Sequence, residues 1–130
     1  MRQIKLTMPI YWQKSKNKRE LLSMNGYRNW HYTVTSKFKR DMEKLVTQQL
    51  ENTAPIEGTF KCSMELFYER SSCDGSNIIP LIEKVILDAL QSIGLIEGDS
   101  VKFHKGTSWM VVGQDKTNPR CEISVYLYKE

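Results

Sequence analysis

One apolar helical stripe with a strand pattern on each side constrains the fold more than any other feature. Between residues 77 and 93, apolar side chains recur every three or four residues, which places them on one side of an α-helix. They are Ile79, Ile82, Val85, Ile86, Ala89, Leu90 and Ile93. Lys84, Asp88 and Gln91 take the opposite side, and Gly94 predicts the helix end. Such a helix needs a sheet or a second helix to cover its apolar side.

The start of this helix carries turn and capping residues. The segment SSCDGSN consists mostly of residue types that favour turns, so Ser76 or Asn77 is predicted to cap the helix. Pro80 is then predicted to lie in the first turn, where its missing N–H costs nothing.

The remaining patterns predict a mixed arrangement of strands and helices. The segment GTFKCSMELFYER alternates between apolar and polar residues, as a half-buried strand does. Strands are also predicted in IKLTMPIYW, around VKFHKGTSWMVVG and in CEISVYLY, and an amphipathic helix over TVTSKFKRDMEKLVTQQLEN. Residues 13–31 have no clear period and are predicted to be mostly loop. This order predicts an α+β fold, a small mixed β-sheet with two main helices on one face.

Length and composition indicate one globular domain over residues 1–130. No apolar run reaches membrane-spanning length, and the amino-terminal residues lack a secretion signal, so we expect a cytoplasmic protein that does not enter membranes. Three cysteines without paired spacing suggest neither a disulfide framework nor a zinc site.

The charge is divided unevenly along the chain. Residues 1–50 hold 11 Lys and Arg against 3 Asp and Glu, whereas residues 51–130 hold 8 against 12. A basic half of this kind suits a polyanion such as nucleic acid, although a solvated basic face is the simpler alternative.

Five acidic residues and one lysine gather in residues 73–100, with Asp74 before the predicted helix and Asp99 after it. They are either ordinary caps and solvated side chains or ligands of a divalent metal. Magnesium takes oxygen ligands such as carboxylates, and a nearby lysine can orient a phosphate. The two aspartates are too far apart along the helix to meet unless strand ends and loops fold back beside it.

The segment EKVILDALQSIGLIEGDS resembles the RusA family of Holliday junction resolvases, which have a Lys-x-x-x-Asp-Ala-Leu helix, a glycine, an acidic pair and a strand. The resemblance extends from IKLTMPIYW to CEISVYLY. It implies a homodimer that depends on Mg²⁺ and places paired symmetric nicks across four-way junction DNA. It also implies that Lys84 is the active-site lysine and that Asp99 binds the metal.

The entry to the helix departs from the family pattern Asp-x-Asp-Asn, because this chain has Asp74, a glycine, Ser76 and an asparagine. An alignment anchored there loses the second aspartate and the lysine. An alignment anchored on EKVILDAL keeps Lys84 and Asp99 with a four-residue insertion, and we prefer it. Since Gly98 also replaces the first residue of the acidic pair, Glu83 is the candidate for the missing carboxylate. The expected metal ligands are thus Asp74, Glu83 and Asp99, and these three with Lys84 form the expected catalytic set.

A basic loop is the expected DNA-binding surface, because its cations are interleaved with aromatic residues that can stack on unpaired bases. The candidate contacts are Lys14, Lys16, Lys18, Arg19, Arg28 and Trp30. The alternative is a solvated loop whose aromatic residues cover the edge of the core. Met110 and the aromatic strand residues are expected to fill the core or a dimer interface.

The main functional hypothesis is a Mg²⁺-dependent, structure-selective endodeoxyribonuclease that resolves Holliday junctions. One alternative is a catalytically silent relative that binds branched or single-stranded DNA as a phage recombination accessory. Another is a protein-interaction module whose charge division has no role in binding.

Overall fold

The computed structural model describes residues 2–129 and contains six strands and three helices in that range. In chain order they are β1 (Gln3–Pro9), β2 (Tyr11–Ser15), β3 (Lys18–Leu21), α1 (Met24–Arg28), α2 (Tyr32–Gln49), β4 (Phe60–Tyr68), α3 (Gly75–Ser92), β5 (His104–Gln114) and β6 (Arg120–Leu127).

Four strands form the main sheet in the order β1-β6-β4-β5. β6 is antiparallel to both neighbours, with Ile123 beside Leu6 on one side and Met64 on the other. β4 and β5 are parallel, and α3 forms the crossover between them. This β4–α3–β5 unit is the part of the fold in which the candidate acidic residues lie.

One face of the main sheet carries the core. Buried residues alternate along β1, β4 and β6, as expected for strands with one covered face. They pack with the apolar sides of α2 and α3, for example Phe38 and Ile82, in one cluster of buried residues. The predicted α+β fold, a mixed sheet with two main helices on one face, is confirmed. In the described chain, no helix is long and apolar enough to cross a bilayer.

The prediction that residues 13–31 are mostly loop was wrong. β2 and β3 pair as an antiparallel hairpin, and the short helix α1 follows. Trp12 on β2 is buried and donates its Nε1–H to Asp41 Oδ2 of α2 at 2.9 Å. The ring of Trp12 also lies 5.2 Å from that of Phe38. These contacts with a distant helix hold the hairpin in place.

The start of α3 also differs from the prediction. Asp74 is the N-cap residue of the helix, two or three positions before the predicted Ser76 or Asn77. Pro80 consequently lies inside the helix and not in its first turn, on the exposed side where water can satisfy the freed carbonyl. The predicted end is confirmed, because Gly94 follows the cap residue Ile93 with a φ of 81°.

Candidate functional site

The candidate acidic residues lie at opposite ends of α3. Asp74 follows β4 and caps the amino end of the helix, whereas Asp99 follows its carboxyl end and precedes β5. An 18-residue helix is about 27 Å long, since each residue adds about 1.5 Å. Asp74 and Asp99 of one chain therefore do not converge on one ion.

Asp74 is exposed, and one of its carboxylate oxygens is occupied by the cap. Oδ1 accepts from the backbone N–H of Ser76 at 3.1 Å and from the Ser76 hydroxyl at 2.7 Å. Ser76 stands where the family pattern has its second aspartate, and here it supports the cap. The other oxygen, Oδ2, has no hydrogen bond to any described residue.

Glu83 and Lys84 point in different directions from the middle of α3. Burial raises the pKa of Cys62, on β4, to about 12, and the charge of Glu83 adds to that rise, so Glu83 lies near the sheet. Lys84 pairs with Asp88 at 3.5 Å and lines a cleft of about 80 Å³ with Glu43 of α2. The lysine therefore faces α2, and the glutamate faces the strands.

Asp99 is exposed in the segment that leads to β5. The preceding residue, Gly98, is buried against Phe103, and a Cβ at position 98 would lie 3.0 Å from Phe103 Cδ2. The Phe103 ring therefore leaves little room for an acidic side chain at position 98, where the family pattern has the first residue of its acidic pair.

A magnesium ion does not fit the carboxylates of one chain. Within residues 2–129, no group of three or more His, Cys, Asp or Glu side chains is arranged to hold a metal ion. The expected convergence of Asp74, Glu83 and Asp99 in a single subunit is thus not present, because α3 separates the two aspartates and Glu83 lies between them.

Of the six candidate DNA contacts, three have side chains that are free to meet DNA, and three already interact within the protein. Lys16 and Lys18 lie at the turn of the β2–β3 hairpin, Arg28 ends α1, and all three side chains are exposed. None of these three forms an ion pair with a described residue. Lys14 is paired with Glu20 at 3.5 Å. We call Lys16, Lys18 and Arg28 the free basic surface.

Arg19 and Trp30 are engaged within the protein. Arg19 pairs with Glu69 at 2.9 Å and stacks on the ring of Tyr11 at 3.8 Å. The half-buried ring of Trp30 lies 5.1 Å from that of Phe38 and 5.2 Å from that of Trp12. Trp30 therefore covers the edge of the core, the role that the sequence left open as the alternative to base stacking.

Sequence reasoning left α2 out of the candidate basic surface. Lys39, Arg40 and Lys44 are exposed along this helix. Arg40 and Lys44 are four residues apart and line one shallow groove. Their spacing was the available signal, because residues four apart lie on the same side of a helix.

In comparisons with known proteins, the chain matches no protein-family model and no curated protein. The resemblance to the RusA family therefore stays a prediction.

Proposed function

We propose that this protein is a RusA-like, Mg²⁺-dependent endodeoxyribonuclease that acts as a homodimer and nicks four-way or other branched DNA in recombination or repair. The supporting observation is the order of motif residues on the β4–α3–β5 unit. Asp74 lies between a strand and the helix, Lys84 lies on the helix, and Asp99 lies between the helix and the next strand. The resemblance implies the same order.

DNA binding is supported by the free basic surface. Lys16, Lys18 and Arg28 can neutralise phosphates without first giving up a protein partner. Contacts of this kind recognise the path of the backbone and not its bases, so the proposed substrate is defined by its shape.

Magnesium enters this proposal through the resemblance. The carboxylates of one described subunit do not supply a set of ligands for the ion.

A catalytically silent DNA-binding protein is the second candidate, and the two departures from the family pattern favour it. Ser76 is hydrogen-bonded to Asp74 where a second aspartate is expected, and Gly98 is packed against Phe103 where another acid is expected. Both replacements fit their surroundings, as expected of a site adapted to a role without metal.

A nicking assay on synthetic four-way junctions, with Mg²⁺ or with EDTA, separates these candidates. We expect cleavage in Mg²⁺ that is lost in Asp74→Asn and in Asp99→Asn while junction binding is retained. Glu51→Gln is the matched control, because Glu51 is an exposed acid outside the β4–α3–β5 unit. Binding without cleavage, across several junction sequences and with Mn²⁺ as well, would establish the silent protein. Absence of junction binding at low salt would refute both candidates and leave the protein-interaction module.

A further inference from the structure

Tyr32 carries the most exposed aromatic ring of the described chain. It is 74% exposed, whereas the other five tyrosines are half-buried. No hydrogen bond joins its hydroxyl group to a described residue. A single exposed ring is common on protein surfaces, so its surroundings decide whether it has a role.

The start of α2 holds this ring in position. Tyr32 is the first residue of the helix, and His31 is its N-cap. The Thr33 N–H donates to His31 Nδ1 at 3.3 Å, and the Thr33 hydroxyl lies 2.9 Å from the same nitrogen. The imidazole fixed in this way lies 4.4 Å from the Tyr32 ring and at 36° to it. Tyr32 thus has one ring neighbour, and the rest of its surface is open to a further ring.

Trp30, two residues earlier, lacks this freedom. Its ring packs with those of Trp12, Tyr27 and Phe38, at centroid distances of 5.2, 5.7 and 5.1 Å. A base could stack fully on Trp30 only by displacing contacts at the edge of the core, whereas Tyr32 offers its ring without that cost. Tyr32 is therefore the aromatic residue of this region that is available for stacking.

Cations without protein partners precede and follow Tyr32 in the chain. Arg28 of the free basic surface ends α1, and Lys39 and Arg40 follow on α2. All three side chains are exposed, and none forms an ion pair with a described residue. Lys39 lies two turns after Tyr32 on the same side of the helix, about 10 Å along its axis, since each residue adds about 1.5 Å. These cations can hold phosphates before and after the ring.

The exposed charge of α2 is positive. The helix holds four Lys and Arg residues, all exposed, against two half-buried acids, Asp41 and Glu43. Asp41 accepts from Trp12 at 2.9 Å, and Glu43 accepts from the Ser92 hydroxyl at 3.1 Å. Both acids are thus engaged within the protein, and the surface around Tyr32 suits a polyanion.

We propose that Tyr32 is a stacking platform for an unpaired base of branched or single-stranded DNA, with Arg28 and the cations of α2 holding the phosphates on either side of that base. Proteins bind single strands by combining aromatic rings with cations, because every base has a flat face and every nucleotide has a phosphate. Bases within a continuous duplex have both faces covered by their neighbours, so the platform selects DNA with unpaired bases. This role rests on the proposed function, because it specifies which part of a branched substrate the protein contacts.

Binding assays in EDTA test the stacking role without cleavage. Fluorescence anisotropy compares a labelled oligothymidylate strand with a labelled duplex of equal length. We expect Tyr32→Ala, with an unchanged circular dichroism spectrum, to weaken single-strand binding by about 5- to 150-fold, as loss of one stacked base does, and to leave duplex binding unchanged. Tyr32→Phe keeps the ring and should bind as the wild type does. Val101→Ala is the matched control, because Val101 is also apolar and is 86% exposed in the segment before β5.

Salt dependence separates stacking from charge. Stacking releases no counterions, so Tyr32→Ala should leave the slope of log K against log salt concentration unchanged for the single strand. Arg28→Gln should lower that slope by about 0.7, the value for one phosphate contact on a single strand.

Photocrosslinking of the wild-type protein to a strand that contains 5-iododeoxyuridine is a second readout that needs no variant. We expect a crosslink at Tyr32, and its absence would overturn the stacking role. Losses that are equal on single strand and duplex in folded Tyr32→Ala, or no loss on either, would also overturn this role while leaving the nuclease proposal standing. A wild-type protein that binds no DNA at low salt would overturn both.

Discussion

The free basic surface allows a quantitative prediction about salt dependence. Each phosphate neutralised on duplex DNA steepens the fall of log K with log salt concentration by about 0.9. Lys16 and Lys18 have exposed side chains without ion-pair partners in the described chain, so both charges are available to DNA. We expect the Lys16→Gln, Lys18→Gln double variant to lower the slope by about 1.8, which corresponds to about 3.5-fold less loss of affinity per doubling of salt.

The same hairpin provides a matched control. Lys14 and Arg19 are held by Glu20 and Glu69, and Arg19 also stacks on a tyrosine ring. To contact a phosphate, these cations must give up interactions that they already make, so their double variant to glutamine should lower the slope by less than about 1. The assay is fluorescence anisotropy with a labelled four-way junction at several KCl concentrations.

Two results would refute this reasoning. A wild-type slope near zero would exclude phosphate contacts as the source of binding. Equal slope changes in the two double variants would show that the number of charges matters and that their pairing within the protein does not.

Three further predictions concern the fold. Trp12→Phe removes the indole N–H that donates to Asp41 at 2.9 Å, so we expect a loss of about 2 kcal/mol in urea unfolding, since hydrogen bonds to charged groups contribute about 1.5–3 kcal/mol. Lys37→Gln removes an exposed ion pair to Asp41 at 3.5 Å and an exposed contact of the ammonium with the Trp12 ring at 5.0 Å, so it should cost less than about 1 kcal/mol, and a cost as large as that of Trp12→Phe would contradict the argument. The pKa of Asp115 lies below its ordinary value, chiefly because the Thr117 hydroxyl and then the Asn118 N–H donate to its carboxylate. Its stabilisation is therefore complete above the ordinary pKa of an aspartate and is lost as the pH falls through the lowered pKa. Urea titrations from pH 5 to pH 2 should show a smaller acid-induced loss in Asp115→Asn, and identical pH profiles would contradict this. Burial raises the pKa of all three thiols, to about 12 for the buried Cys62 and Cys121, but Cys73 is only half-buried and within reach of a reagent. The native protein should therefore react with Ellman's reagent at one thiol, and Cys73→Ser should abolish that reaction.

The main elements were predictable because their patterns are local. The apolar stripe of α3 and the alternation in β4 each repeat within one segment, so their type follows from period alone. The hairpin was missed because β2 and β3 are short and rich in cations and lack that alternation. Its position depends on Trp12 meeting Asp41 and Phe38 on a helix 20 or more residues away.

The site was less predictable than the fold, for a geometric reason. The sequence places acids on each side of a helix, but whether they meet depends on helix length and on what lies beside the sheet. Asp74, Ser76 and Asn77 are all capping residue types, and only the backbone geometry selects Asp74. Likewise, residues 109–112 are apolar in any arrangement, and their exposure follows from the place of β5 at the end of the strand order.

The amide of Gln49, lying against β1, has a consequence for the size of any assembly. A sheet that could add neighbours at both sides would grow into a fibril, each new chain offering a fresh template to the next. On β1, both backbone groups of Thr7 are already bonded to this side chain of α2, so a strand arriving at that edge would have to displace it. Gln49 thus works against the growth of the sheet at its β1 edge.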